Sequence, residues 1–275
     1  VSYSTIWANQ ISLKAIPAAD GVKIKQQEKY MTAHAVTPKL KHPSIIEAVC
    51  ELRFDETVPY SLIPGAMRER LRGKYSDFEV LPAAALMGAA PDMIPGPIPF
   101  HRLKTGDSQF LIQTGPRLLT INALPQYPGF EVFRDHVLEA LDHYQDVAEP
   151  KNAIRLGLRY INLIQTRAGL TRLNDYFKVN LEFPSITDTA PREANVRLIF
   201  SHGHTGQLAV ALSYPAQTST GDAGAALDLD FFKNEPVAFE VSKLSTWLFD
   251  AHDRIYTAFR ALVTDELMRA MQEGD

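Results

Sequence analysis

Apolar and polar residues alternate from Ser44 to Asp55. Ile46, Ala48, Cys50, Leu52 and Phe54 fall on one side of a period-2 pattern, and Glu47, Val49, Glu51 and Arg53 on the other. That spacing predicts a strand with one buried face. AIRLGLRYINLI, residues 153–164, behaves alike, setting Ile154, Leu156, Leu158 and Tyr160 against Arg155, Gly157 and Arg159. Each strand opens a similar series. After the first, YSLIPGAMRERLRGKY (60–75) predicts a short helix with Leu62, Met67 and Leu71 on its apolar side. Strands at 99–104, 108–113 and 116–122 follow, separated by TGDS and TGP turns. Residues 127–147 then give an amphipathic helix with the stripe Phe130, Phe133, Val137, Leu138 and Leu141. After the second strand come a short helix at 171–177 and strands at about 194–201, 206–213 and 226–232. A broken helix over 238–272 closes the series, striped by Leu244, Trp247, Leu248, His252, Ile255, Phe259 and Leu262.

This order predicts an α+β fold of two βαβββα-like halves, 31–150 and 151–275, sharing a curved antiparallel sheet with helices on one face. In order of elements it resembles the saddle of the TATA-box-binding protein and the broader helix-grip folds, a likeness of architecture that carries no function. Helices on one side leave the other side to solvent. Glu47, Glu51, Arg53, Arg155 and Arg159 are expected there.

Charge then narrows the partners. The net charge is −4: residues 1–30 hold 4 basic and 2 acidic side chains, 31–150 hold 11 and 15, and 151–275 hold 13 and 15. Neither half is basic, which disfavours nonspecific binding to nucleic acid or an anionic membrane. A single cysteine excludes an internal disulfide framework and a Cys-rich zinc site. No run approaches the roughly 18 apolar residues of a membrane span, and no secretory pattern opens the chain. The expected compartment is the cytoplasm. The chain begins at Val1, and codons available to Gln27-Glu28 contain a ribosome-binding AGGAG shortly before Met31. Translation is expected to start at Met31, with 1–30 as upstream read-through; the alternative is a genuine extension. Residues 82–99, rich in Pro, Gly and Ala, are expected to form a loop or flap that closes over a ligand or meets another chain.

Candidate chemistry is sparse. Asp228 and Asp230 stand at i, i+2 in ALDLDFF and project from one face of a strand. They can hold a divalent metal, serve acid/base catalysis, or pair across strands with Arg155 and Arg159, which is the simplest outcome. Gly157 leaves room between those arginines for an anion. His202 and His204 have an alternation that a metal site uses, but Gly203 and the following TG mark a turn. Cys50 points with the inward set, as a buried thiol rather than a nucleophile. His252 lies on a helix stripe, the place of a hydrogen-bonded core histidine. Tyr160, Phe110, Phe231 and Phe232 lack the basic frame of a base-stacking platform and read as core. No G-x-S-x-G, P-loop, G-x-G-x-x-G or H-E-x-x-H motif occurs, and no cofactor is implied.

Together PSIIEAVCELRF, GLRYIN, LDLDFF and FDAHDRIYTAFRALVTDEL resemble a sporadically distributed, uncharacterised bacterial protein family. Its members share P-I/V-I/V-E-A-V, R-x-G-L-R-Y-I-N and L-D-I/L-D strands and a closing H-x-x-I-x-x-x-F-x-x-x-I/V-T helix. The matching residues here are Pro43 to Val49, Arg155 to Asn162, Leu227 to Asp230 and His252 to Thr264. The resemblance implies no catalytic residue. Its patchy distribution is similar to that of toxin–antitoxin and phage-defence genes, which implies an interaction or sensing role. The expected function is therefore non-enzymatic binding of a protein partner or small anionic ligand, on the charged sheet face or in the cleft between the halves. The expected site is Glu47, Glu51, Arg53, Arg155, Gly157, Arg159, Asp228 and Asp230. A nucleic-acid-binding saddle and a metal-dependent enzyme using Asp228 and Asp230 are the alternatives. A homo-oligomer is compatible with all three.

Overall fold

The computed structural model describes Leu40 and residues 43–81, 98–165, 173–179, 193–217 and 223–273. The expected extension at 1–30 and residues 82–97 of the expected flap lie outside them. The first half contributes β1 (Ile45–Phe54), α1 (Ile63–Leu71), β2 (Asp77–Val80), β3 (His101–Lys104), β4 (Phe110–Gly115), β5 (Leu118–Ala123) and α2 (Phe130–Ala148). The second contributes β6 (Asn152–Gln165), α3 (Leu173–Tyr176), β7 (Ala194–Ser201), β8 (Gln207–Gln217), β9 (Ala223–Lys233), β10 (Val237–Ala238), α4 (Val241–Leu262) and α5 (Asp265–Glu273).

The strands form one open, curved sheet in the order β2-β3-β4-β5-β1-β6-β9-β8-β7, with β10 added to β6 and every pairing antiparallel. Each half starts at the centre, crosses by way of a helix to an edge, and returns strand by strand. The opening strands meet there, Cys50 opposite Leu158 and Glu51 opposite Gly157. The fold is α+β as the periodicities predict, with one more strand in each half, the two-residue β10 in the second and β2 in the first. That strand, DFEV, is too short to show a period; it is fixed by its pairing with β3, Phe78 opposite Leu103.

Burial follows the alternation in most places. Ala48, Cys50, Leu52 and Phe54 are buried, as are Leu156, Leu158 and Tyr160. Ile154 is not. The β1–β6 register shifts between Arg53 and Phe54, so that Phe54 faces Ala153. Ala153 turns in and Ile154 turns out to solvent, as a bulge requires. Leu62 is also exposed, because a 3-10 turn over Tyr60–Leu62 precedes α1 and takes it off the helix stripe.

Packed against this face, α2 buries Phe133, Val137, Leu141 and Tyr144, and α4 buries Leu244, Leu248 and Ile255. The Phe54 ring stacks on Tyr144 at 5.0 Å and meets Phe239 edge-on at 5.7 Å. Gly129, with φ 110°, precedes α2, a conformation that glycine adopts freely. Glu149 in the left-handed region ends the helix, with Pro150 after it. The expected break in the closing helix falls at Val263–Thr264, where Val263 becomes extended and pairs with Phe177. Thr264 Oγ1 then accepts the Leu267 N–H at 3.2 Å and caps α5. At the outer edge, β7 leaves Leu198, Ile199 and Phe200 about half exposed.

Candidate functional site

The helix-free face of the sheet carries the charged residues that alternation places there, but it is not a solvated surface. Glu47 is only 1 % exposed and Asn122 3 %, although both project from the polar side. A hydrogen-bonded row explains how they are accommodated. Lys104 Nζ meets Glu79 Oε1 at 2.5 Å, Arg102 donates to Gln113 Oε1 at 3.1 and 3.2 Å, and Gln113 donates to Asn122 Oδ1 at 3.1 Å. Asn122 Nδ2 then donates to Glu47 Oε1 at 2.7 Å. Burial raises the Glu47 carboxyl above the usual carboxylate range, against the Asn122 hydrogen bond and the nearby Arg159 charge.

Across β1, β6 and β9 the arginines and carboxylates are matched. Arg159 grips Asp228 with both arms of its guanidinium, Nε to Oδ1 at 2.8 Å and Nη2 to Oδ2 at 2.5 Å. Arg155 donates from Nε to Glu51 Oε1 at 2.8 Å and from Nη2 to Asp230 Oδ2 at 3.0 Å. Arg53 and Arg155 stand opposite one another, and both Nε atoms donate to the same Glu51 oxygen. Burial pushes the Asp230 carboxyl up, while Arg155 and Arg159 pull it down. The eight expected site residues do come together: three carboxylates (Glu51, Asp228, Asp230) pair with three guanidiniums (Arg53, Arg155, Arg159), while Glu47 takes its hydrogen bond from Asn122 with the Arg159 charge nearby.

The room left by Gly157 is taken as well. A Cβ built there would lie 3.2 Å from Arg155 Nη2, so the guanidinium itself lies over the gap where an anion was expected; it also lies over the Phe232 ring at 4.7 Å. Gly157→Ala therefore meets only the movable end of a long side chain, and its expected cost is under about 1 kcal/mol. Gly115→Ala is the contrasting case, because its Cβ would fall 2.2 Å from the Ile98 backbone oxygen. That change is expected to cost about 2 kcal/mol or more. Urea midpoints that fall equally in the two variants would contradict this account.

The remaining candidates are occupied structurally. Cys50 is buried, its thiol pushed up to about 12 chiefly by burial. His202 Nδ1 lies 3.0 Å from Arg254 Nη1, and the His204 carbonyl accepts Lys233 Nζ at 3.0 Å. Among the described residues no group of three or more His, Cys, Asp or Glu is placed to hold a metal ion. Tyr160, Phe110 and Phe231 belong to the hydrophobic core, and Phe232 is buried on the charged face beneath the Arg155 guanidinium.

A site that the sequence does not announce lies between the halves. A cavity of about 280 Å³ opens beside the first turn of α2, the middle of α4 and the start of β1. Apolar walls come from Ile45, Phe130, Leu229, Ile255 and Phe259. Its polar side is a chain of three groups: Tyr127 Oη donates to Tyr160 Oη at 3.4 Å, and Tyr160 Oη lies 3.0 Å from His252 Nδ1. The His252 ring stacks on Phe130 at 3.9 Å, and burial depresses its pKa to about 4, leaving it neutral near pH 7. Asn162 also borders the space, with Nδ2 donating to the Leu227 carbonyl at 3.1 Å and Oδ1 accepting from Ser44 at 2.9 Å.

Phe130, Ile255 and Phe259 were expected on helix stripes, and His252 and Tyr160 as core residues; these last two are buried and hydrogen-bonded accordingly. Asn162 enters the sequence reading only as the last residue of the R-x-G-L-R-Y-I-N strand, and Tyr127 and Glu131 carry no signal of their own, since the turn before α2 meets α4 and β1 only in the folded chain. Compared with known protein-family models and with curated proteins, the chain matches no family model and no curated protein. Among the described residues no helix is long and apolar enough to cross a membrane.

Proposed function

We propose that this protein is a non-enzymatic, cytoplasmic binding protein whose small-molecule ligand occupies the cleft between α2 and α4. The observation that supports this reading is the cavity of about 280 Å³ with apolar walls and a convergent Tyr127–Tyr160–His252 chain, the usual form of a small-molecule site. The charged sheet face, the other expected location, spends its groups on internal pairs and serves as structure. Asp228 and Asp230 are each held by an arginine, which removes support from the metal-dependent enzyme. Arg53, Arg155 and Arg159 are neutralised in the same way, which removes it from the nucleic-acid saddle. A sensing role, as implied by the resemblance to the sporadic bacterial family, fits a ligand held between two halves of one sheet.

Methyl-resolved NMR tests the location. Titration with indole, a small apolar probe with one donor, is expected to shift the methyls of Ile45, Leu229 and Ile255 and leave those of Ile112 and Ile121 in place. Absence of cavity shifts at millimolar indole, or shifts confined to the charged face, would count against the cleft.

A further inference from the structure

The cleft has a definite electrostatic character. Resting on the ligand site proposed above, we infer that its ligand is an organic cation, an amine or quaternary ammonium on an apolar body, held by an aromatic wall and the Glu131 carboxylate. Three independent features of the cavity carry this.

The first is charge. Among the described lining residues there is no lysine or arginine, and Glu131 is the one carboxylate. Glu131 has no cationic partner among the described residues, and its side chain curls back over Gly129, where a Cβ would lie 3.8 Å from Oε2. An acid in the first turn of a helix is favoured by the macrodipole in any case. That accounts for its presence in the turn, and not for its place at the mouth of an aromatic cavity. The nearest arginine along the helix, Arg134, is committed elsewhere, pairing with Asp135 at 2.7 Å and covering the Phe249 ring at 5.2 Å.

The second feature is the rings. Tyr127, Phe130, Tyr160, Tyr256 and Phe259 all border the space, and Tyr127 and Tyr160 stand at 65° with centroids 5.7 Å apart, forming a corner. Aromatic faces are negative and attract cations, most effectively where water is excluded.

The third is hydrogen-bond polarity. Tyr127 donates its hydrogen bond to Tyr160, and Tyr160 Oη lies 3.0 Å from His252 Nδ1. The capacity left on the Tyr127 oxygen is then lone pairs. Asn162 spends its amide on Leu227 and Tyr160. A ligand entering here meets acceptors and negative ring faces, which suits an ammonium group and repels a carboxylate. The anionic ligand expected from the sequence is thereby replaced by its opposite.

Calorimetric titration of the full chain with three ligands of one body tests this: phenethylamine, 2-phenylethanol and 3-phenylpropionate. The amine is expected to bind on the order of tenfold more tightly than the alcohol, and the carboxylate most weakly. Glu131→Gln, a change at an exposed position, should remove most of the amine's advantage and leave the alcohol's affinity unaltered. Tightest binding by the carboxylate, or an amine preference that survives Glu131→Gln, would overturn the cation assignment while the cleft remained a ligand site. Failure of all three to bind at millimolar concentration would bring down the cleft itself, and the cation with it.

Discussion

Truncating Arg159 to alanine is expected to cost about 3 kcal/mol of folding stability, the low end for breaking a buried pair because these side chains retain some solvent. Arg159 fills two hydrogen bonds to Asp228, with side chains 25 % and 16 % exposed. Without the guanidinium, the Asp228 side chain loses both hydrogen bonds in a largely dry setting, and Glu47 loses the cation that partly offsets its burial. Replacing both partners by apolar groups, Arg159→Met with Asp228→Leu, is expected to recover most of the loss, since neither charge then remains to be desolvated. Urea unfolding of the two single variants and the double variant forms the cycle. A loss under about 0.5 kcal/mol for Arg159→Ala would place the pair with ordinary surface bridges, and the sheet face would again be open to a binding role.

Acid is expected to unfold the protein through two buried histidines. His136 stacks on Phe110 at 3.6 Å with Nδ1 2.6 Å from the Tyr75 hydroxyl, and His252 stacks on Phe130 with Nδ1 against Tyr160. Burial depresses both to about 4, helped at His136 by the Lys74 charge. A histidine that is harder to protonate when folded stabilises the fold fully at high pH. That contribution is lost as pH falls below the unfolded value near 6.5 and is gone below the folded value near 4. At pH 5 the loss is about 2 kcal/mol for each. Glu47 and Asp230, raised by burial, act in the opposite sense: their contribution is present at low pH and fades as pH rises through their folded values. The loss from the two histidines falls between pH 6.5 and 5, so stability should fall across that range. His136→Gln and His252→Gln, each less stable at pH 7.5, should show shallower slopes. A wild-type unfolding midpoint that is flat from pH 7 to 5 would contradict the burial of neutral imidazoles.

Much of the architecture was legible because it is written in local periods. β1 and β6 announce themselves by alternation, α2 by its stripe, and the closing helix by a stripe with an expected break, which the structure places at Val263–Thr264. The pairing of Arg155 and Arg159 with Asp228 and Asp230 was legible too, since all four occupy one face of strands that the repeated order makes neighbours. Three things were not. The short β2 has no period to read and exists by virtue of β3. The dryness of the polar face depends on Asn122 and Gln113, neutral residues that look like ordinary strand positions until they bridge to Glu47. The cavity depends on contacts between the turn at Tyr127–Gly129, α4 and the start of β1, a convergence that distance along the chain conceals.

The claim on which the functional account rests is that the cleft holds a ligand. Native mass spectrometry of the protein purified from its own cells, alongside Ile255→Trp, measures this directly. Ile255 is 1 % exposed and borders the cavity, so the larger ring fills the space. The account predicts wild-type protein carrying an excess on the order of a few hundred daltons, the size such a pocket takes, and a bare chain for Ile255→Trp. A bare wild-type chain, or the same excess on both proteins, would contradict it.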